Sequence, residues 1–191
     1  MLLLMRALLK DAVSNQHPLL DPLAEDMPML KQKGFSLIEL LIVVAIILII
    51  AAIAIPALTR ARVAADESSA VGSLRSINTA EISYNAAYPT TGFTTTLSAL
   101  GSPIGTCTPS TSSGCFIDNV LTTGTKSGYI FAGGSGTCGS PIPLSCYSFT
   151  ASPQFPAYTG ARFFCSFEDA VLRSSSVSIS NPCPATTAPI Q

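Results

Sequence analysis

The feature that most constrains this chain is an apolar run of 24 residues, Phe35 to Leu58, broken only near its start by Ser36 and Glu39. As a helix rising 1.5 Å per residue it would be roughly 36 Å long, enough to cross a hydrocarbon core of about 30 Å. A run of this length is a membrane span before it is anything else. Beyond it the pattern changes. Leu74, Ile77, Tyr84 and Tyr88, with Ala70 and Ala80 nearby, recur at three- and four-residue spacing, and Asp66, Glu67, Arg75 and Asn78 are assigned to the other faces. Pro89 ends the pattern, because the residue before a proline is steered away from helical backbone. One continuous helix over 35–88 is predicted, its first half projecting and its second half lying on a sheet.

Four stretches follow by composition: a mixed leader over 1–34, the apolar run over 35–58, an amphipathic half-helix over 59–88, and a Gly-, Pro-, Ser- and Thr-rich region over 89–191. Strands are expected at Ser127–Ala132, Cys146–Ala151, Arg162–Phe167 and Ala170–Ser174, each bounded by Gly, Pro or an acidic pair. Alternation in Tyr129, Phe131 and in Tyr147, Phe149 puts aromatic rings on one face of adjacent antiparallel strands, under the helix. Gly133–Gly139 reads as the connector between them. The fold class is therefore α+β, a long N-terminal helix packed on a C-terminal antiparallel sheet of about four strands. The Ser/Thr runs at Thr94–Thr96 and Thr108–Ser113 read as exposed loops.

All six cysteines, Cys107, Cys115, Cys138, Cys146, Cys165 and Cys183, fall in the C-terminal half. An even number in a small, loop-rich region reads as three disulfides and an oxidising compartment. Spacing alone does not choose the pairing; the sequential set Cys107–Cys115, Cys138–Cys146 and Cys165–Cys183 is the expectation carried forward. A zinc site is disfavoured, since there is no Cys-x-x-Cys pair and the single histidine, His17, lies far upstream.

Catalysis is poorly supplied. After residue 34 there is no histidine, and no nucleophile has a visible base. Gly133-Gly-Ser-Gly136 lacks the Gly-Lys-Ser/Thr ending of a phosphate loop. The net charge is −1, and the C-terminal region offers only Lys126, Arg162 and Arg173 as cations, too few to grip nucleic acid. No enzyme activity, cofactor or metal is expected, and nucleic acid is not an expected partner.

The most informative string is Lys31-Gln-Lys-Gly-Phe-Ser-Leu-Ile-Glu-Leu-Leu-Ile-Val-Val. It resembles the N-terminal signature of type IV pilins and of the related type II secretion pseudopilins: basic residues, then Gly-Phe, then an acidic residue at the fifth position of an apolar helix. The resemblance implies that a membrane-embedded prepilin peptidase cuts between Gly34 and Phe35 and methylates the new amine. It implies that Glu39 pairs with that amine, first its own and then a neighbour's, to set the register of a helical filament. A cut before the apolar run keeps the anchor on the mature protein, whereas an ordinary secretory signal would lose it. A carboxylate in lipid is costly without a partner; snorkelling of Glu39 to the interface is the plainer reading.

Pro56 also fits the resemblance. It removes one helical hydrogen bond and destabilises its turn by roughly 3 kcal/mol in a water-exposed helix. A helix that kinks or partly unwinds in a filament and a mild bend near the membrane surface are both open readings. The stretch Tyr147-Ser-Phe-Thr-Ala-Ser-Pro, then Gly160-Ala-Arg-Phe-Phe-Cys and Ala170-Val-Leu-Arg173, is similar to the C-terminal strands of pilin-like proteins from several Gram-negative lineages. In that pattern a cysteine of the third strand closes a loop from near the C-terminus, which supports Cys165–Cys183.

Two readings compete with this one. A signal peptide cut after Ala52-Ile-Ala54 has the small-x-small form, but its apolar core would be overlong and would contain a glutamate. A plain single-span anchor leaves Gly34-Phe35 and Glu39 unexplained. Lys31 and Lys33 on one side balance Arg60 and Arg62 on the other, so charge does not orient the span; the cysteines do, by placing the C-terminal region outside. The leader is long and, with Asp11, Asp21 and Glu25-Asp26, unlike a basic prepilin leader. Residues 1–26 read as a mis-assigned start or an extension, with Met27 or Met29 as alternative starts.

The expected function is a structural subunit of a type IV pilus, serving adhesion or motility. It would be single-pass in the inner membrane with a periplasmic head and then extracellular in the filament. Its partners would be copies of itself, the inner membrane, the prepilin peptidase and the assembly machinery. A minor pilin or a type II secretion pseudopilin, acting in secretion or DNA uptake, is the alternative.

Overall fold

The computed structural model describes residues 34–134 and 142–190. The long helix is present as α1, Leu37–Ala87, 51 residues with Pro56 inside it. It ends two residues before Pro89, as the steric demand of that ring requires. Short helical turns follow, α2 at Leu97–Leu100 and α3 at Asn119–Thr122.

Five strands form one antiparallel sheet in chain order: β1 Thr125–Lys126, β2 Tyr129–Gly134, β3 Ser148–Pro153, β4 Phe163–Phe167 and β5 Arg173–Ser175. The sheet thus has one strand more than the sequence suggested. The expected strand Ser127–Ala132 is really a turn plus a strand. Ser127 (φ 49°) and Gly128 (φ 71°) both take left-handed backbone, the requirement of a two-residue hairpin turn, and that turn folds Lys126 back opposite Tyr129. Ala170, placed at the start of the last strand by sequence, is likewise a left-handed turn residue (φ 56°) and β5 begins at Arg173. Gly133 and Gly134 belong to β2 rather than to a connector; the rest of that predicted connector lies outside the described residues.

The chain divides after Val44 into two units. In the first, the described residues are all exposed. In the second, the core lies between the C-terminal part of α1 and one sheet face. Ala70, Leu74, Ile77, Ala80 and Tyr84 meet Tyr129, Phe131, Tyr147, Phe149 and Phe164, all buried. Each large aliphatic or aromatic side chain buried this way stabilises by about 1.5–3 kcal/mol before entropy is charged against it. The aromatic face predicted from alternation is there, and its register is complementary in size: Phe131 stands opposite Ala151, and Phe149 opposite Gly133. A methyl group at Gly133 would lie 2.1 Å from the Thr95 carbonyl oxygen and 2.6 Å from the Phe149 ring, so that glycine lets a loop cross the sheet at close range.

One expectation about the helix fails. Glu67 and Asn78, assigned to faces other than the apolar one, are buried, as is Glu81. Glu67 continues the stripe three residues before Ala70, and Glu81 falls four after Ile77 and three before Tyr84. Their positions are dictated by helical spacing, and polar partners make the burial of Glu67 and Asn78 tolerable. The Glu67 carboxylate accepts the Ala161 and Arg162 amides at 2.9 and 3.1 Å and the Arg162 guanidinium at 2.8 Å. Asn78 donates to Ser166 Oγ (2.9 Å) and to the Ala170 carbonyl (3.2 Å), and accepts from the Tyr147 hydroxyl (3.3 Å). These contacts fix the helix to β4 and its flanking loops at a defined rotation, which a purely apolar stripe would not.

Candidate functional site

Gly34, Phe35 and Ser36 have non-helical backbone and are exposed, Phe35 at 81%. Nothing lies within 4 Å of where a side chain at Gly34 would begin, so the Gly34–Phe35 peptide is uncrowded by the described residues. The helical ladder opens with the Leu40 amide donating to the Ser36 carbonyl at 3.2 Å. Glu39 lies exposed in the first turn of α1, where a carboxylate complements the unpaired amides of the helix N-terminus.

From Leu37 to Leu58 the large aliphatic side chains face outward, among them Ile42, Ile46, Ile49, Ile53 and Ile55. By length and composition α1 can cross a membrane, and its most apolar stretch has 0% of its residues buried. Such a surface is not left to water; it needs lipid or other apolar protein against it. Pro56 sits inside α1 close to the end of this stretch, and the Thr59 hydroxyl donates to the Ile55 carbonyl at 3.0 Å.

Residues 29–55 match the prokaryotic N-terminal methylation motif. This motif is characteristic of type IV pilin-like precursors, and the long helix followed by an antiparallel sheet is consistent with the α+β fold of that group. The match spans Gly34, Phe35 and Glu39 and stops just before Pro56. The motif marks a structural class rather than an enzyme family, and implies processing by a prepilin peptidase and entry into pilus or secretion machinery. Together with the exposed apolar helix it fits a membrane-anchored precursor. Searches of curated proteins and of solved structures find no match to the chain.

The cysteines staple the C-terminal region to itself. Cys107 is bonded to Cys115 and Cys165 to Cys183, with Cα separations of 5.8 and 5.7 Å. Cys146 is disulfide-bonded too, while Cys138 lies outside the described residues. The Cys165–Cys183 bond joins β4 to the C-terminal segment, which is held again where the Cys183 amide donates to Ser148 Oγ at 2.8 Å and the Ile190 amide to the Leu172 carbonyl at 2.9 Å. Closing loops in this way is how a domain with a thin core gains stability, about 2–4 kcal/mol per bond.

The sequence reading missed the buried carboxylates. Glu67 is held below the usual carboxylate range: its burial works the other way, and is outweighed by the Ala161 and Arg162 amides and the Arg162 charge. Glu81 is the opposite case. Burial pushes it up to about 8 against the single opposing hydrogen bond from the Thr94 amide at 3.0 Å, and its Oε1 has no partner among the described residues. The three- and four-residue spacing that places both carboxylates on the core face was visible in the chain; their partners, up to 95 positions away, were not.

Proposed function

We propose that this chain is the precursor of a type IV pilus structural subunit. Residues 1–34 are the leader, cut between Gly34 and Phe35, and Phe35 becomes the methylated N-terminus. Residues 35–58 then anchor the protein in the inner membrane, and the disulfide-bonded head over 89–191 lies on the periplasmic side, where its cysteines oxidise. On assembly the same helix leaves lipid for the interior of a helical filament that serves adhesion or motility at the cell surface. Residues 59–88 carry the head throughout.

The observation that carries this reading is the methylation motif laid over an α1 surface that no described residue buries. One helix can be stable in two apolar settings, since side chains that dissolve in acyl chains also pack against copies of themselves. Glu39 supplies what apolar contact lacks, a register. Its charge opposite the Phe35 amine of a neighbour favours one stagger, and the pair acts for specificity more than for net stability. A head-to-tail contact of this kind does not close on itself and so generates a filament. Pro56 weakens α1 locally where the subunit must adapt to the polymer.

Filaments sheared from the producing cell and quantified by mass spectrometry test the assignment. A main subunit contributes most of the filament protein; recovery only in trace amounts beside another pilin would assign the chain to an accessory or secretion role instead.

A further inference from the structure

The loop between β3 and β4, residues 154–162, is tied down at both ends yet presents two aromatic rings to solvent. Its Gln154 amide donates to the Gly128 carbonyl at 2.8 Å, and the Ala157 amide to the Gly160 carbonyl at 2.9 Å. Phe155 and Thr159 are joined both ways, the Phe155 amide donating to Thr159 Oγ1 at 3.1 Å and the Thr159 amide to the Phe155 carbonyl at 2.9 Å. At the far end the Ala161 and Arg162 amides are fixed on Glu67 of α1. Despite this, Phe155 is 59% and Tyr158 78% exposed. The loop backbone is held by these bonds while both rings stand outside the core.

Its place along α1 gives the rings a purpose. Tyr158 and Thr159 share a cleft with Leu58, Thr59, Arg62 and Asp66, and Ala157 lines another with Thr59, Arg60 and Val63. The loop therefore straddles the helix at the level where the unburied apolar stretch ends. There the helix carries Arg60 and Arg62, both exposed, with Asp66 one turn further on. Tyr158, a ring with one apolar and one polar end, and arginines whose guanidinium groups suit lipid phosphates are what the headgroup layer at the end of a span selects, and Phe155 beside them adds apolar surface to insert.

We propose that the 154–162 loop is a membrane-docking surface. Phe155 and Tyr158 insert into the headgroup region of the leaflet on the head's side, and Arg60 and Arg62 bind lipid phosphates. The head of the unassembled subunit is thereby held against the bilayer instead of swinging about the end of its anchor. This rests on the membrane-anchored reading, and the test separates the two.

The chain has no tryptophan, so a single introduced one reports on its own surroundings. The full chain, reconstituted in vesicles of phosphatidylethanolamine and phosphatidylglycerol, is compared with and without lipids brominated near the headgroup or deep in the acyl chain. Three variants are read: Tyr158→Trp for the loop, Leu48→Trp for the anchor, and Phe116→Trp for the far end of the head. Phe116 packs on Tyr84, which lies 26 residues beyond Leu58 or about 39 Å along the helix.

The expected result is a blue-shifted Tyr158→Trp emission quenched mainly by the shallow bromines, Leu48→Trp quenched mainly by the deep ones, and Phe116→Trp untouched. If Tyr158→Trp and a second loop variant, Phe155→Trp, stay unquenched while Leu48→Trp is quenched, the anchor stands and docking is overturned. Equal quenching of Phe116→Trp would also overturn it, since the whole head would then lie on the lipid. If Leu48→Trp is itself unquenched, the anchor fails and docking falls with it. Unquenched loop variants whose filament yield collapses would mark the loop as a contact between subunits, again overturning the proposal.

Discussion

Replacing Glu81 by glutamine should stabilise the head at mildly alkaline pH and change little in acid. The side chain is fully buried, its Oε2 accepts one amide hydrogen bond from Thr94, and its charge is felt by the Tyr84 and Tyr147 phenols facing it. In the unfolded chain the carboxyl titrates near its ordinary 4.5; in the fold it is pushed up to about 8. Between those values the folded state holds a proton that the unfolded state has released, so stability falls as pH rises through the window. Below about 4.5 the side chain is neutral in both states and carries no such penalty. At about 1.4 kcal/mol per pKa unit, the loss completed near pH 8 has an upper bound of about 5 kcal/mol, reduced by any water that reaches the carboxylate.

Glutamine keeps the shape and the acceptor for the Thr94 amide and has no charge to desolvate. The assay is urea unfolding of the disulfide-intact chain in detergent, followed through its tyrosine signals near pH 4.5 and near pH 8. The Glu81→Gln midpoint should exceed wild type near pH 8 by an amount corresponding to a few kcal/mol, and the two should converge near pH 4.5. Taking the difference between the proteins removes the contributions of groups that do not interact with Glu81. A wild-type excess at both pH values, or a gap that does not change with pH, would refute the reasoning.

Glu67→Ala strands the Ala161 and Arg162 amides and should cost about 1–3 kcal/mol by urea midpoint at neutral pH. Because the folded pKa of Glu67 is depressed, that contribution is present above its unfolded value and is lost as pH falls, so the variant and wild type should converge in acid. Gly133→Ala sets a methyl group 2.1 Å from the Thr95 carbonyl oxygen and should lower the unfolding free energy by about 1–3 kcal/mol, measured in the same assay. Glu39→Ala should leave insertion into the membrane intact while abolishing or sharply reducing filament yield, read by membrane fractionation beside sheared-filament recovery; normal yield would remove Glu39 from assembly.

Most of the architecture was legible because it rests on signals that act locally. The apolar run, the change to helical spacing after it and the stop at Pro89 define α1 within a few residues. Alternation in Tyr129, Phe131 and Tyr147, Phe149 located two strands and their buried face. Errors gathered where a local rule met a tertiary one. Ser127 looked like a strand residue because its turn is a two-residue hairpin with only one glycine, and the partner strand β1 is too short to show a pattern. Glu67 and Asn78 were assigned off the apolar face, and Glu81 went unremarked, because charge and polarity argue for solvent until a partner is known. Those partners, Arg162, Ser166 and the Thr94 amide, come from other elements. The 154–162 loop gave no signal, since its shape comes from hydrogen bonds within itself and to Gly128 and Glu67.

For the functional segment the balance is reversed. The methylation motif is a string of neighbouring residues that an enzyme reads as sequence, so it needs no fold to be visible. What α1 adds is the surface that makes such processing consequential, an apolar face without cover. The most direct measurement is the mass of the N-terminal peptide from the chain after coexpression with a prepilin peptidase. The account predicts a peptide beginning at Phe35 with one methyl group on its amine. A mature product beginning near Ile55, with the apolar helix removed, would contradict it.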